Sequence, residues 1–247
     1  MLTEVFCSPR GDENMRSDRG FKIVSFSGID GAGKSTQIGA LETRLSELGL
    51  RSTVRTFWDD VVVFGGFREL ISHKAFGGDE GVGSPEKPIS RRDKNVVSMH
   101  VIGARLFLYF LDAVYLRLLC LQLRKTEADV VIFDRYIYDE LANLPLHHWF
   151  ARWYVRLILS LAPRPDVAYL VDADPAAARA RKPEYPLEFL RQNRERYLAL
   201  SRLAGNMTVI EPLSVEAAEA RMMDAWLGVH CISPGSAAML KVPASEV

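Results

Sequence analysis

A glycine-rich segment near the start of the chain has the residue types needed to hold phosphate groups. Residues 28–35 are Gly-Ile-Asp-Gly-Ala-Gly-Lys-Ser, which match the pattern G-x-x-x-x-G-K-[S/T] at every position. Glycines let backbone N–H groups turn toward an anion, and the N-terminus of a following helix adds its dipole. The motif predicts binding of a nucleoside triphosphate, with Lys34 at the β- and γ-phosphates and Ser35 as a ligand of Mg²⁺.

A second candidate site follows an apolar strand in the middle of the sequence. Residues 130–133 are Val-Val-Ile-Phe, and Asp134 and Arg135 come directly after them. Beside the phosphate-binding loop, Asp134 would hold Mg²⁺ through water and Arg135 would reach a second phosphate opposite the triphosphate. An ordinary ion pair at a strand end is the alternative interpretation. The sequence contains no Asn-Lys-x-Asp motif of the kind with which GTPases usually bind guanine.

The elements that must position these residues alternate between strands and helices. Strands are predicted at residues 21–27, 51–58, 129–133, 166–172 and 207–211. Helices are predicted at residues 34–48, 64–73, 96–126 (one long helix or two abutting ones), 147–161, 174–180, 187–203 and 214–230. This alternation predicts a parallel sheet with helices on both faces and ligands at the carboxyl ends of the strands.

One domain is predicted, at residues 21–230, with a short tail on each side. Residues 1–20 are polar and have little to bury, so we expect a disordered N-terminal tail. Residues 231–247 show no periodicity and are predicted to be a flexible C-terminal tail. Residues 77–95 are rich in Gly, Pro and charge, which is typical of a mobile loop.

Composition excludes several classes of protein. The 31 basic and 31 acidic residues balance, which argues against a protein whose affinity rests on coating nucleic-acid phosphates. Three widely spaced cysteines predict neither a disulfide framework nor a cysteine zinc site, and favour a reducing compartment. There is no secretory signal, and no uncharged run reaches the roughly 18–20 residues of a membrane span. We therefore expect a cytoplasmic protein without a nucleic-acid partner.

Two apolar segments bear on association with other surfaces. Residues 96–126 carry more apolar residues than one core-facing stripe needs, so a partner subunit is expected to cover part of them. Residues 149–161 interleave aromatic residues with Arg152 and Arg156, as interfacial membrane helices do. A buried or dimer-facing helix explains that pattern equally well, so the sequence predicts a homodimer and no membrane contact.

At three separate places the sequence resembles the thymidylate kinases and their relatives among the nucleoside monophosphate kinases. The resemblance is carried by residues 28–37, by Asp134-Arg135-Tyr136, by residues 172–175 with the arginines behind them, and by residues 187–197. It implies a three-layer α/β/α P-loop NTPase fold with a five-stranded parallel sheet and a short lid. It also implies a dimeric, cytoplasmic enzyme that uses ATP and Mg²⁺ and transfers the γ-phosphoryl group to a monophosphate acceptor, thymidylate above all.

The lid is expected at about residues 176–190, where Arg179, Arg181 and Lys182 form a basic cluster. In one class of thymidylate kinases an arginine of the phosphate-binding loop supplies transition-state charge, and in another class a lid arginine does. Gly31 stands where the loop arginine would be, so the resemblance assigns this role to Arg181. A solvated helix face with i, i+4 charge pairs is the alternative.

The resemblance assigns roles to individual residues. Asp30 would lie near the acceptor sugar, and the catalytic residues would be Lys34, Arg135, Arg181 and Asp30. ATP would contact Gly28, Asp30, Gly31, Ala32, Gly33, Lys34, Ser35, Thr36 and Arg179. The acceptor would contact Asp30, Arg135 and Tyr136, and Mg²⁺ would be held by Ser35 and Asp134. Asp139 and Arg68 are added as acceptor contacts from this sequence itself, at places where it departs from the family.

The acceptor side departs from the family. The family's Arg-Glu-Pro motif is replaced by residues 56–60, Thr-Phe-Trp-Asp-Asp, with Arg55 or Arg68 as possible substitutes, and the base-reading arginine is missing near Asp112. Asp139 stands where the family has a serine. In a helix it would lie one turn from Arg135 and pair with it, or it would hold a hydroxyl of a different acceptor. A kinase of a non-nucleotide acceptor and a non-catalytic ATP-binding switch or scaffold are therefore the alternatives.

Overall fold

Five parallel strands organise the part of the chain that the structure describes, residues 21–62 and 99–230 of a computed structural model. The strands are β1 (Lys22–Ser27), β2 (Ser52–Thr56), β3 (Val130–Asp134), β4 (Val167–Val171) and β5 (Met207–Ile210). They pair in the order β2-β3-β1-β4-β5, and every pairing is parallel. The phosphate-binding loop therefore leaves a central strand, with Asp134 at the end of its neighbour.

Seven α-helices are described in these two ranges. They are α1 (Lys34–Glu47), α2 (Met99–Leu123), α3 (Ile137–Leu141), α4 (Trp149–Leu161), α5 (Pro175–Arg181), α6 (Leu187–Ala204) and α7 (Val215–His230). Helices α1 and α7 pack together, while α2, α3, α4 and α6 form a second group. The two groups flank the sheet, which gives the predicted α/β/α arrangement.

Burial along the strands follows their place in the sheet. Nearly every residue of β1, β3 and β4 is buried, as the continuous apolar runs of parallel strands require when helices cover both faces. The strands β2 and β5 lie at the edges of the described sheet and are half-buried. The predicted strands are confirmed, with boundaries that differ by one or two residues.

Two short elements were not predicted. A π-helical turn at Phe57–Val61 follows β2, so the expected strand up to Trp58 was two residues too long. The sequence continues from Thr56 with two aromatic residues, Phe57 and Trp58, and aromatic residues are common in strands, so the prediction ran on into the turn. The helix α3 has five residues, too few to show a helical period in the sequence.

The expected helix at 64–73, the loop at 77–95, Arg68 and both tails lie outside the described residues. Within the described part, the 96–126 segment forms the single helix α2. One side of α2 enters the core, including Tyr109, Leu116 and Cys120, while Phe107, Leu118 and other apolar side chains are exposed. In the described ranges, Gly103–Leu123 alone has the length and hydropathy of a membrane span, which for one helix is weak evidence.

The phosphate-binding loop makes an unusually close contact with α5. Gly31 has a φ of +78°, and a Cβ on it would lie 2.3 Å from the carbonyl oxygen of Ala178. Gly49, which ends α1, has a similar φ of +70° with no atom within 4 Å of the equivalent Cβ. The two glycines therefore share a backbone conformation and differ in the space around them.

Substitution of these two glycines by alanine separates the cost of backbone strain from the cost of steric contact. Gly49→Ala should lower the free energy of unfolding by about 1–2 kcal/mol, the cost of the left-handed conformation for an L-residue. Gly31→Ala should lower the free energy of unfolding by about 1–3 kcal/mol more than Gly49→Ala, because α5 must also move away from the loop. Urea unfolding of both variants measures the difference, and equal losses would contradict the close contact.

Candidate active site

The phosphate-binding loop runs from the end of β1 to the first residue of α1. A Cβ on Gly28 would lie 2.4 Å from the carbonyl oxygen of Val171, so only glycine lets the loop pass this close to β4. The N-cap of α1 is Gly33, and the first turn of the helix contains no acidic residue. Ser35 and Thr36 are exposed there. The amino end of α1 is therefore available to an anion.

Lys34 is buried with its ammonium group turned back onto the loop. Its Nζ donates to the carbonyl oxygens of Gly28 and Ile29, each at 2.9 Å. Burial lowers the pKa of Lys34 to about 8, and the positive charge of Arg135 acts in the same direction. The carboxylates of Asp30, Asp139 and Asp134 partly oppose this shift. The lysine thus occupies the centre of the charge cluster.

Arg135 lies beside Lys34 with both ends of its guanidinium held by carboxylates. Its Nη2 contacts Asp30 in a very short ion pair, and its Nη1 lies 2.9 Å from Asp139 Oδ1. Burial disfavours the charge of Arg135, but the carboxylates outweigh burial and its pKa is raised. Its φ of 69° is the single positive value among the described non-glycine residues, and its N–H donates to Phe26. The backbone and the side chain are therefore both fixed.

The predicted pairing of Asp139 with Arg135 is confirmed. The side chain of Asp139 is enclosed, so it does not present a carboxylate to an acceptor, and that part of the prediction is corrected. The side chain of Tyr136 also points away from the site. It is buried, and its hydroxyl donates to the carbonyl oxygen of Pro163 at 2.7 Å. Arg55, a possible substitute for the missing family arginine, pairs instead with Asp60 at 3.5 Å.

Arg179 and Arg181, the arginines of the expected lid, lie on α5, which rests on the phosphate-binding loop. Arg181 is exposed, and its Nη1 lies 3.8 Å from where a Cβ on Gly33 would be. Arg179 lines a cavity of about 290 Å³ beside the start of α6, and its buried Nε has no hydrogen-bond partner in the described part of the chain. Lys182 pairs with Glu184 at 3.3 Å. Of these three basic residues, Arg181 is the one that approaches Gly33 of the loop.

Asp134 is the last residue of β3, opposite Phe26 in β1 and Thr56 in β2. Its charge is felt by Lys34, so it lies close to the phosphate-binding loop. Among residues 21–62 and 99–230 there is no group of three His, Cys, Asp or Glu side chains that forms a complete metal cage. Mg²⁺ does not require one, because it commonly takes one or two protein oxygens and completes its shell with phosphates and water.

Comparison with known proteins identifies the family. The chain is 33% identical over 185 residues to a probable thymidylate kinase from Pyrobaculum aerophilum, covering 72% of this chain and 81% of that protein. The chain belongs to the thymidylate kinase family. No protein-family model matches the chain. The resemblance seen in the motifs, and with it a nucleoside monophosphate kinase, is confirmed at the level of the family.

Solved structures of thymidylate kinases share the fold. The enzyme from Ehrlichia chaffeensis superposes with a TM-score of 0.53 at 18% identity, covering 84% of this chain and 98% of that one. The enzyme from Candida albicans gives a TM-score of 0.54 at 17% identity, covering 86% and 93%. At these identities the likeness concerns the fold, and it agrees with the parallel five-stranded sheet.

The sequence did not predict two residues that contact the site of this thymidylate kinase-family protein. Ser27 and Tyr197 both donate their hydroxyl hydrogens to Asp139, each at 2.7 Å. A polar Ser27 inside an apolar strand was a usable signal, since a buried hydroxyl needs a partner. Tyr197 is 58 residues from Asp139 in sequence, and no local pattern brings the two together.

The lowered pKa of Lys34 predicts a pH dependence of stability. Between about pH 8 and its usual 10.5, Lys34 is deprotonated in the folded state and protonated in the unfolded state. The unfolded state then binds more protons, so the free energy of unfolding should rise with pH across this window, by about 3 kcal/mol in total. Denaturant unfolding of the wild type and Lys34→Met at pH 7 to 10.5 measures it. A difference between the two proteins that does not change with pH would contradict the buried charge.

Proposed function

We propose that this protein transfers the γ-phosphoryl group of ATP to thymidylate. The observation that carries the proposal is the convergence of two cations on one carbonyl oxygen. Lys34 Nζ lies 2.9 Å and Arg135 Nη1 3.5 Å from the oxygen of Gly28. Lys34 belongs to the triphosphate-binding loop, and Arg135 follows the neighbouring strand. A phosphate bound by Lys34 and a phosphate bound by Arg135 would therefore lie next to each other. Membership of the thymidylate kinase family supports the choice of acceptor.

The reaction needs little covalent chemistry from the protein. An oxygen of the acceptor phosphate attacks the γ-phosphorus, the bond from that phosphorus to the β–γ bridging oxygen breaks, and ADP leaves. Lys34 and Arg135 bring the two anions together and offset their repulsion, which is the main task in phosphoryl transfer. Asp30, in contact with Arg135, is proposed to lie beside the acceptor sugar.

The residues at the loop fit a magnesium ion. Ser35 offers an exposed hydroxyl and Asp134 a carboxylate, and these hard oxygen ligands are the kind Mg²⁺ prefers. When bound, the ion would neutralise phosphate charge. The remaining ATP contacts are proposed from the backbone of residues 28–36 and from Arg179, whose buried Nε needs an acceptor. A cytoplasmic location is proposed from the sequence alone, whose three cysteines are widely spaced.

Arg181 is proposed to supply positive charge to the transferring phosphoryl group. Arg181→Ala should lower kcat by a large factor, about 10³ to 10⁵ where such an arginine is decisive, because its contact forms in the transition state. The KM for ATP should change far less. Lys182→Ala is the matched control, since it removes a neighbouring cation that is engaged with Glu184.

The measurement is ADP formation from Mg·ATP with a panel of ribo- and deoxyribonucleoside monophosphates. Thymidylate should give the fastest turnover, with Lys34→Ala as the inactive reference. Equal losses in kcat and in ATP binding for Arg181→Ala would argue against a transition-state role. Absence of turnover with every monophosphate, while ATP still binds, would overturn the proposed function.

We further propose that the exposed apolar side of α2 is the contact of a homodimer. Its exposed large side chains, Phe107, Phe110, Val114, Tyr115, Leu118 and Leu121, recur along one helix that already packs its other side into the core. Leu118→Glu should shift the protein to a monomer by light scattering, because a charge would enter the apolar contact. Leu213→Glu is the control, since Leu213 is 50% exposed against 52% for Leu118. A wild-type monomer would refute the dimer.

A further inference from the structure

The side chain of Asp139 is only 1% exposed, and both oxygens of its carboxylate accept hydrogen bonds inside the protein. Oδ1 accepts from Arg135 Nη1 at 2.9 Å and from the Tyr197 hydroxyl at 2.7 Å. Oδ2 accepts from the Ser27 hydroxyl at 2.7 Å and from the N–H of Tyr136 at 3.0 Å. The carboxylate is therefore fixed from β1, from the turn after β3 and from α6 at once.

We propose that Asp139 is a positioning residue, which fixes the direction in which Arg135 presents its guanidinium to the acceptor phosphate. The inference rests on the acceptor role proposed above for Arg135. It departs from the family pattern, in which a serine stands at this place. A serine hydroxyl has no negative charge, so it holds a guanidinium less strongly than a carboxylate does.

The two carboxylates on Arg135 differ in their access to solvent. The Asp30 side chain is 22% exposed and belongs to the phosphate-binding loop, whereas Asp139 is enclosed. An acceptor phosphate that approaches Arg135 from solvent therefore meets the Asp30 side of the guanidinium. Asp139 stays in place while the open side exchanges partners. The long, flexible side chain of Arg135 thus keeps its contact with Asp139 during binding.

Tyr197 ties this carboxylate to a rigid part of the fold. On the same helix, one turn earlier, Arg194 makes two hydrogen bonds of 2.6 Å to the carboxylate of Asp172, which follows β4. The Tyr197 hydroxyl therefore reaches Asp139 from an anchored helix. Ser27, as the last residue of a central strand, is equally fixed. A carboxylate held by such donors has one orientation, and this sets the orientation of the Arg135 guanidinium that pairs with it.

A positioning role and a purely electrostatic role predict opposite kinetics. If Asp139 only weakened the positive charge of Arg135, its removal would strengthen phosphate binding and lower the KM for thymidylate. If it positions Arg135, its removal should raise that KM and lower kcat together. The KM for ATP should change less than the KM for thymidylate in either case, because Lys34 keeps its contacts with the loop and loses only the charge support of Asp139.

The test compares Asp139→Asn and Tyr197→Phe with Tyr169→Phe as the matched control. Tyr169 is also a buried tyrosine, and its hydroxyl donates to the carbonyl oxygen of Met222 at 2.8 Å. Asp139→Asn should lower kcat/KM for thymidylate by roughly 10- to 100-fold, the factor expected when a hydrogen bond to a charged group is lost. Tyr197→Phe should cause a smaller loss in the same direction and add little to Asp139→Asn in the double variant. Thermal unfolding shows which variants fold.

A second readout is independent of turnover. In ¹⁵N-labelled protein, the Nη–H signals of Arg135, assigned with Arg135→Lys, should be resolved in the wild type and in Tyr169→Phe. They should broaden in Asp139→Asn, or in Tyr197→Phe where Asp139→Asn does not fold. If the wild type does not phosphorylate thymidylate, the proposed function fails while these signals still decide the inference. Unchanged signals, or a lower KM for thymidylate in Asp139→Asn, would overturn it.

Discussion

The arrangement depends on one electrostatic constraint, the burial of two cations side by side at the carboxyl end of the sheet. Lys34 and Arg135 sit where a low dielectric makes each charge costly and their mutual repulsion strong. Without an anionic ligand, the chain supplies the compensating groups itself. Carbonyl oxygens of the loop accept from Lys34, and the carboxylates of Asp30 and Asp139 hold Arg135. The cations are thus kept in place before any phosphate arrives, which is the meaning of electrostatic preorganisation.

The sheet makes this clustering possible. Because β1 lies between β3 and β4, the loop after β1 is flanked on one side by Arg135 and on the other by Val171. The close approach of Gly28 to the Val171 carbonyl and of Gly31 to Ala178 draws β4 and α5 against the loop. Strand order, glycine positions and charge pairing therefore act together, and none of them alone would bring Arg181 of α5 to the loop.

Most of this architecture follows from local sequence, and the exceptions have physical reasons. Mostly apolar runs located the buried strands β1, β3 and β4, and i, i+4 spacing predicted the pairing of Asp139 with Arg135. The turn at Phe57–Val61 was missed because the aromatic residues Phe57 and Trp58 are typical of a strand and the turn has only five residues. The resemblance of Asp134-Arg135-Tyr136 to the family motif placed Tyr136 in the site, although its ring is buried in the core. Ser27 and Tyr197 reach Asp139 through tertiary contacts that no single segment encodes.

The departure at Asp139 also changes how the acceptor side should be understood. A buried carboxylate costs far more than a serine unless donors surround it, and here two hydroxyls, a backbone N–H and a guanidinium do so. The same substitution without Tyr197 or Ser27 would leave a carboxylate oxygen short of partners in an enclosed space. The residues at these three positions therefore form one unit. The site thus holds Arg135, the residue proposed to face the acceptor, by a charged contact where the family pattern has a neutral one.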